Sequence, residues 1–286
     1  MLQLRLQNCQ RNQVETISDS LESIGALSIT LSDSQDDPIL EPALGTAPLW
    51  PTVDILALFL PAEQRNLEQW LHDNAMHAGM IENLPEEDWL RVCLKDLVPQ
   101  QFGKKLWICP SWINPPDPSA INVILDPGLA FGTGTHPTTA LCLTWLEQAE
   151  LTDKTMIDYG CGSGILAMAA LKLGAEHVYA VDIDDQALQA TQENAANNAI
   201  DPWTITLSSP ENLNASVDIL LANILLEPLV QLTERFNTQL KKNGRLVVSG
   251  LLAEQAELLI DAYADVFDHQ HTMYSDGWVL MIFARK

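Results

Sequence analysis

The regular alternation of strand and helix patterns in the last two-thirds of the chain most constrains its fold. Apolar runs typical of buried strands each precede a segment with apolar residues at helical spacing. The pairs are KTMIDYG with GILAMAALKLGA, HVYAVDI with DQALQATQENAANNA, VDILLANI with EPLVQLTERFNTQL, and RLVVSGL with AEQAELLIDAYADV, while WTITLSS is a further strand. This alternation predicts an α/β domain with a parallel sheet covered by helices on both faces. The last segments, HQHTMY and WVLMIFAR, flank the turn signal SDG, which predicts a hairpin that adds an antiparallel strand.

The first third of the chain predicts a separate small domain. Its patterns run strand, helix, strand, strand, helix, strand from LQLRLQ to GMIENLP, an order that fits an α+β ferredoxin-like sandwich. The segment EEDWLRVCLKDLVPQQFG is predicted to be a connecting helix and linker, and KKLWICPSW and AINVILDPG the two strands of a hairpin. We therefore expect a ferredoxin-like substrate-recognition domain over residues 1–90, a linker over 91–105 and an α/β domain over 106–286.

The charge and cysteine content exclude several classes of protein. The chain has 15 Lys and Arg against 38 Asp and Glu, a formal charge of −23, so phosphate backbones repel it and we expect no direct nucleic-acid contact. A basic protein partner fits this charge, and so does a merely well-solvated surface. The five cysteines include no Cys-x-x-Cys pair, which predicts reduced thiols and no metal site. Without a signal-peptide pattern or an apolar run near the roughly 20 residues of a membrane span, we expect a soluble cytoplasmic protein.

Three glycines, Gly160, Gly162 and Gly164, lie between the first strand of the α/β domain and its helix. Glycine is needed where the backbone takes a positive φ or lies against a ligand with no Cβ between them. In a doubly wound sheet, ligands bind at the carboxyl ends of the strands. A tight turn alone needs fewer glycines, so the cluster predicts a ligand site that includes Gly160 and Gly162.

Two classes of ligand compete for this turn. The pattern G-x-G-x-x-A from Gly162 satisfies the fingerprint of a nicotinamide dinucleotide site, with Asp182 about twenty residues further on. Three features favour S-adenosylmethionine instead. The Asp158 carboxylate can bind an amino group but repels a pyrophosphate, D-x-G-x-G-x-G is the pattern of S-adenosylmethionine sites, and the closing antiparallel strand does not match a nicotinamide domain. Asp182 is then expected to accept hydrogen bonds from the cofactor ribose, because Asp184 is better placed to cap the next helix.

Four motifs in order, LDPGLAFGTGTHPTT, IDYGCGSGILA, YAVDID and ANILLEPL, resemble the bacterial ribosomal protein L11 methyltransferase family (PrmA-type). The resemblance covers the last two-thirds of the chain with high specificity and the first third loosely, and WLRVCLKDLVPQQFG departs from the aromatic-rich connector of the family. It implies a class I methyltransferase, Rossmann-like with a seven-stranded sheet and an antiparallel last strand. It also implies methyl transfer from S-adenosylmethionine to lysine side chains and the N-terminal amine of ribosomal protein L11. We expect the substrate to be free ribosomal protein, before or during assembly, and the enzyme to be a monomer.

The resemblance also assigns residues to the site. Phe131, in the glycine-rich loop, is expected to cover the cofactor. Thr133, Thr138 or Thr139 could hydrogen-bond the methionine part of the cofactor, and the match to the family motif favours Thr139. The loop glycines would let it move as a lid ahead of a helix that begins at His136 or Pro137. We read His136 itself as structural.

Asn223, in ANILLEPL, is the predicted catalytic residue and a cofactor contact. In amino-methylating relatives, a side-chain oxygen at this position and a neighbouring carbonyl accept hydrogen bonds from the target amine. The alternative for Asn223 is a helix cap. The alternative functions are a methyltransferase acting on RNA or a small molecule and, more distantly, a nicotinamide oxidoreductase.

Overall fold

The computed structural model describes residues 1–35, 39, 48–74, 76, 78–84, 98–125 and 136–286. It divides the chain into two compact units, Met1–Cys93 and Leu94–Lys286. The predicted connecting helix and the glycine-rich loop with Phe131 lie outside the described residues. Within the described ranges, every helix is too short or too polar to cross a membrane.

The first unit has a four-stranded antiparallel sheet in the order β2-β3-β1-β4. Its elements are β1 (Leu2–Gln10), α1 (Val14–Ser23), β2 (Ser28–Asp33), β3 (Thr52–Phe59), α2 (Gln64–Asp73) and β4 (Met80–Asn83). Alternate residues of β1 and β3, such as Leu4 and Ile55, are fully buried, and they pack in one cluster with Ile17 of α1 and Leu67 of α2. The element order and pairing confirm the ferredoxin-like fold predicted for the first third.

The second unit is built around a seven-stranded sheet in the order β10-β9-β8-β11-β12-β14-β13. Its elements are β5 (Gln100–Phe102), β6 (Leu106–Cys109), β7 (Ile121–Ile124), α3 (Pro137–Gln148), β8 (Thr155–Tyr159), α4 (Ile165–Lys172), β9 (His177–Val181), α5 (Asp185–Asn197), β10 (Ile205–Ser208), β11 (Val217–Asn223), α6 (Leu226–Gln231), α7 (Thr233–Gln239), β12 (Leu240–Leu252), α8 (Ala256–Tyr263), β13 (Phe267–Ser275) and β14 (Trp278–Arg285). Strands β8 to β12 pair in parallel, and β14 is antiparallel to both of its neighbours. The closing hairpin turns at Asp276 and Gly277, which have φ values of 48° and 81°, as a tight two-residue hairpin requires.

One predicted pairing is wrong. Strands β6 and β7 were expected to form a hairpin, but they pair in parallel, and β5 pairs with β6 in an antiparallel arrangement. The connection of residues 110–120 is long enough for the chain to cross over and return in the same direction, which parallel pairing requires. Strand β5 also lies inside the stretch 91–105 that the sequence predicts as a linker.

The central strands of the sheet are buried on both faces, and their alternate residues divide between two cores. Met156 of β8 packs in one cluster with residues of α3 and α4, whereas Ile157 and Tyr159 pack in the other with residues of α6, α7 and α8. This two-layer burial fixes the register of the parallel strands. The carboxyl ends of β9, β8 and β11 therefore lie side by side along one edge of the sheet.

Candidate active site

The turn after β8 has a backbone that only glycine adopts without strain at three positions. Gly160, Gly162 and Gly164 have φ values of 77°, 54° and 76°. The amide nitrogens of Gly160 and Cys161 both donate to the carbonyl oxygen of Val181 at the end of β9, at 2.7 and 3.0 Å. These hydrogen bonds hold the glycine turn against β9, so the main chain of the turn runs along the edge of the sheet.

Asp182 binds the glycine turn directly. Its Oδ2 accepts a hydrogen bond from the Gly162 amide at 2.9 Å, and its Oδ1 accepts one from the Asp184 amide at 3.1 Å. A carboxylate has about four acceptor positions, so two remain for a ligand. Asp184 caps α5 by accepting from the Gln186 amide at 2.9 Å, as the sequence predicts. The cap role that competed for Asp182 is therefore filled by its neighbour.

Asp158 supports the turn from inside the protein. It is 3% exposed, and its Oδ2 accepts from the Ala167 amide at 3.0 Å, in the first turn of α4. That helix begins after Gly164, which has no side chain to cap it, so Asp158 supplies the missing acceptor. Burial raises the pKa of Asp158 to about 7; the Ala167 hydrogen bond opposes this rise and the negative charge of Asp182 adds to it. Its Oδ1 has no hydrogen-bond partner among the described residues.

Asn223 and Thr139 meet although 84 residues separate them in the chain. The Asn223 Nδ2 donates to the Thr139 Oγ1 at 3.3 Å across the space between the end of β11 and the first turn of α3. Helix α6 begins after Leu225, and among the described residues its first backbone amides donate to no capping side chain, so Asn223 does not serve as its cap. The side-chain oxygen of Asn223 is therefore not used to cap this helix.

His136 holds the start of α3. Its Nδ1 accepts from the Thr138 amide at 3.3 Å and lies 2.8 Å from the Thr138 hydroxyl, while its ring packs edge-on against Trp278 at 4.7 Å between centroids. Pro137 occupies the first helical turn, as predicted. These contacts fit the structural reading of His136.

A cleft of about 970 Å³ lies along this edge of the sheet. Gly160, Gly162 and Asp182 line it, together with Ile183, which is 86% exposed despite its apolar side chain. An exposed isoleucine directly after an acidic strand end offers a flat apolar contact at the mouth of a ligand site. The cleft lining does not include Thr139 or Asn223.

Sequence reasoning missed two other lining residues, Ile224 and Arg235. The Arg235 Nη1 donates to the Tyr159 hydroxyl at 3.3 Å, which places a cation at a cleft whose other charged lining residues are all acidic. Arg235 is a half-buried residue of α7, and no motif in the sequence marks it as part of a site. Ile224 could have been found, because it directly follows Asn223.

The strand order, the antiparallel strand β14 inserted beside the edge, and the glycine turn with its acidic neighbour define a class I methyltransferase fold. The family model for Ribosomal protein L11 methyltransferase (PrmA) matches residues 1–286. The chain belongs to this family, and it is a methyltransferase. The family implies S-adenosylmethionine as the methyl donor.

Curated relatives and a solved structure agree with this membership. A ribosomal protein L11 methyltransferase from Legionella pneumophila (strain Lens) is 54% identical over 286 residues, covering 99% of each chain. One from Glaesserella parasuis serovar 5 (strain SH0165) is 47% identical over 283 residues, covering 97% of this chain and 96% of the relative. The crystal structure of a ribosomal protein L11 methylase from Lactobacillus delbrueckii subsp. bulgaricus is 35% identical with a TM-score of 0.62, covering 66% of this chain and all of that one. The resemblance read from the motifs is confirmed, and a nicotinamide oxidoreductase is not favoured.

Proposed function

We propose that the chain transfers methyl groups from S-adenosylmethionine to amino groups of ribosomal protein L11, both lysine side chains and the N-terminal amine. Family membership over the whole chain supports the substrate. The main structural support for a cofactor site is the hydrogen bond from the Gly162 amide to Asp182, beside a cleft large enough for a nucleoside. The proposed substrate is the free protein, before or during ribosome assembly, in the cytoplasm.

The residues of the cleft fit S-adenosylmethionine. The two unused acceptor positions of Asp182 match the two ribose hydroxyls, and the exposed side chain of Ile183 offers an apolar surface to the adenine. The main chain at Gly160 and Gly162 has no Cβ to separate it from the ligand. When bound, this cofactor supplies an electrophilic methyl group on a sulfonium. We keep the predicted roles of Thr139 at the methionine part and Phe131 as a cover.

Asn223 has an orientation suited to the acceptor of the methyl group. Because its Nδ2 donates to Thr139, its Oδ1 is left to accept a hydrogen bond from the target amine. The Thr139 hydroxyl, which accepts this bond, still has its own proton to donate to the cofactor. We therefore propose that Thr139 both contacts the cofactor and fixes the rotation of the Asn223 amide. Asn223 is the proposed catalytic residue.

The target amine must be neutral to attack. A lysine titrates near 10.4, so holding it neutral at pH 7 costs about 4.6 kcal/mol. Desolvation in the cleft and the nearby positive charge of the methyl donor both lower the pKa of the amine. The Asn223 oxygen then aligns the nitrogen lone pair with the methyl group, and alignment of the reacting groups supplies the other large contribution to the rate.

Recognition of the substrate is assigned to the ferredoxin-like domain. We propose that residues 1–90 form this domain, that 91–105 connect it, and that 106–286 catalyse methyl transfer in a monomeric enzyme. The formal charge of −23 supports a basic protein as the partner and disfavours RNA, the alternative substrate.

Mass spectrometry tests the proposal. Purified ribosomal protein L11 incubated with the enzyme and S-adenosylmethionine should gain mass in steps of one methyl group, and Asn223→Ala should abolish most of this gain while cofactor affinity stays near that of the wild type. In a thermal shift assay, S-adenosylhomocysteine should raise the unfolding midpoint of the enzyme, whereas NAD should leave it unchanged. Unmodified L11 in the presence of an enzyme that binds S-adenosylhomocysteine would remove L11 as the substrate. Full turnover by Asn223→Ala would remove Asn223 from the mechanism.

A further inference from the structure

Ile224, the residue after the proposed catalytic Asn223, lies between two glycines from the strands on either side. Strand β11 ends at Asn223 with β8 on one side and β12 on the other. The β8 side contributes Gly160 and the β12 side contributes Gly250. Neither glycine leaves room for a side chain where Ile224 passes.

Gly250 packs against the main chain of Ile224. A Cβ at Gly250 would lie 2.4 Å from the Ile224 carbonyl oxygen and 2.8 Å from its carbonyl carbon, and Gly250 has a φ of 92°. The pairing of β12 with β14 shifts register between Ser249 and Leu251, so Gly250 forms a bulge. The Ile224 amide donates to the Ser249 carbonyl at 3.1 Å. The bulge thus both binds the Ile224 backbone and makes room for it.

Gly160 packs against the side chain of Ile224 from the opposite direction. A Cβ at Gly160 would lie 2.5 Å from the Ile224 Cγ2. Isoleucine is stiff at χ1 because it is branched at Cβ, so a side chain fixed at Cγ2 also restrains the backbone that carries it. Ile224 is therefore confined by its side chain on one side and by its main chain on the other.

We propose that Ile224 is a positioning residue, fixed between Gly160 and Gly250, that aims the Asn223 amide at the target amine. The planar peptide bond joins Asn223 directly to Ile224, so a shift of Ile224 is transmitted to Asn223. The bond from Asn223 to Thr139 is 3.3 Å long, near the upper limit of a hydrogen bond, and has little tolerance for displacement. This inference rests on the proposed role of Asn223 in methyl transfer.

The test compares two glycine substitutions of the full-length enzyme. Gly250→Ala introduces the clash with Ile224, whereas the control Gly277→Ala adds a Cβ at a φ of 81° with no atom within 4 Å. Both variants place an alanine at a positive φ and so strain the backbone equally, but only Gly250→Ala displaces Ile224. Gly250→Ala should lower kcat by about 100-fold, the cost of a misplacement near 1 Å, with a cofactor Kd close to that of the control. Equal kcat values for the two variants, or a parallel loss of kcat and cofactor affinity, would overturn the proposal.

A second pair of variants covers the case in which Gly250→Ala fails to fold. Ile224→Ala removes the Cγ2 atom that is held against Gly160, so it should lower kcat. Ile224→Val keeps that atom and the branching at Cβ, so it should retain most of the wild-type kcat. Equal kcat values for these two variants would contradict the proposal.

A spectroscopic measurement separates this inference from the proposed function. The side-chain amide resonances of Asn223 in a ¹⁵N-labelled enzyme should move in Gly250→Ala and stay in place in Gly277→Ala, whatever the substrate. If the wild type leaves ribosomal protein L11 unmodified, the proposed substrate fails while this readout still decides the positioning role. Unmoved Asn223 resonances in Gly250→Ala overturn it.

Discussion

Replacing Asp182 by asparagine should weaken cofactor binding. The carboxylate accepts from the Gly162 and Asp184 amides at 2.9 and 3.1 Å and keeps two acceptor positions for the ribose hydroxyls. Asparagine has the same shape, but one oxygen becomes an NH₂ donor. Whichever way the amide turns, its NH₂ group faces one backbone N–H, and one ribose hydroxyl loses a charged acceptor.

The magnitude follows from the hydrogen bonds that change character. A hydrogen bond to a charged group contributes about 1.5–3 kcal/mol, and each 1.4 kcal/mol is tenfold in affinity, so Asp182→Asn should raise the Kd about 10- to 150-fold. Titration calorimetry with S-adenosylhomocysteine measures this change. The product is chemically stable and contains the same ribose.

Asp184→Asn is the matched control. Asp184 lines the same cleft, and its replacement removes the same charge. Its side chain caps α5 through the Gln186 amide, and asparagine caps a helix as well as aspartate does, so the Kd should change little. Equal losses of affinity in both variants would mean that the acidity of the cleft acts in general and Asp182 has no specific role. Unchanged affinity in Asp182→Asn would refute its assignment to the ribose.

Two further predictions concern acid stability. Burial would raise the pKa of Asp218, but hydrogen bonds from Lys241 and from the amide and hydroxyl of Thr155 outweigh it and hold the value at about 2. Its stabilising effect should be present above the unfolded value of about 4 and vanish between pH 4 and 2, so urea midpoints of Asp218→Asn and wild type should converge there. The contribution of Asp158 to stability changes with pH in the opposite direction, because burial raises its pKa to about 7. Its protonated form stabilises the fold at pH 4, and this is lost as the pH rises through 7, so Asp158→Asn should flatten the urea midpoint over that range.

The strand–helix alternation was predictable because each buried strand has its own apolar run. Strand β8 and helix α4 read directly from MIDYG and ILAMAAL, and the hairpin of β13 and β14 from the Asp-Gly turn. The pairing of the strands was less predictable. Local patterns identify β6 and β7 as strands but carry no information on their relative direction, which depends on a crossover of residues 110–120. That is why the predicted hairpin was wrong.

The site likewise contains residues that the sequence alone predicts and residues that it does not. Asp182 and the glycine turn were predictable because both lie at strand ends, which meet along one edge of the sheet. The contact between Thr139 and Asn223 spans 84 residues, and only the resemblance to a family singled out both. Arg235 left no trace in the sequence, because a cation on a helix is usually a solvated surface residue.

The order of the strands predicts that substitutions can affect cofactor binding and methyl transfer separately. Asp182 follows β9 and Asn223 ends β11, with β8 between them, so the two side chains start about two strand spacings apart, roughly 10 Å. If Asp182 binds the ribose as proposed, the methionine part of the cofactor would extend over the glycine turn towards Asn223. Substitution at Asp182 acts on the held end and should appear in the Kd, whereas displacement at Asn223 acts on the reacting end and should appear in kcat. If one pocket served both roles, a single substitution would change the cofactor Kd and kcat together. Strand β8 lies between Asp182 and Asn223, so we expect substitutions at these two residues to change different constants.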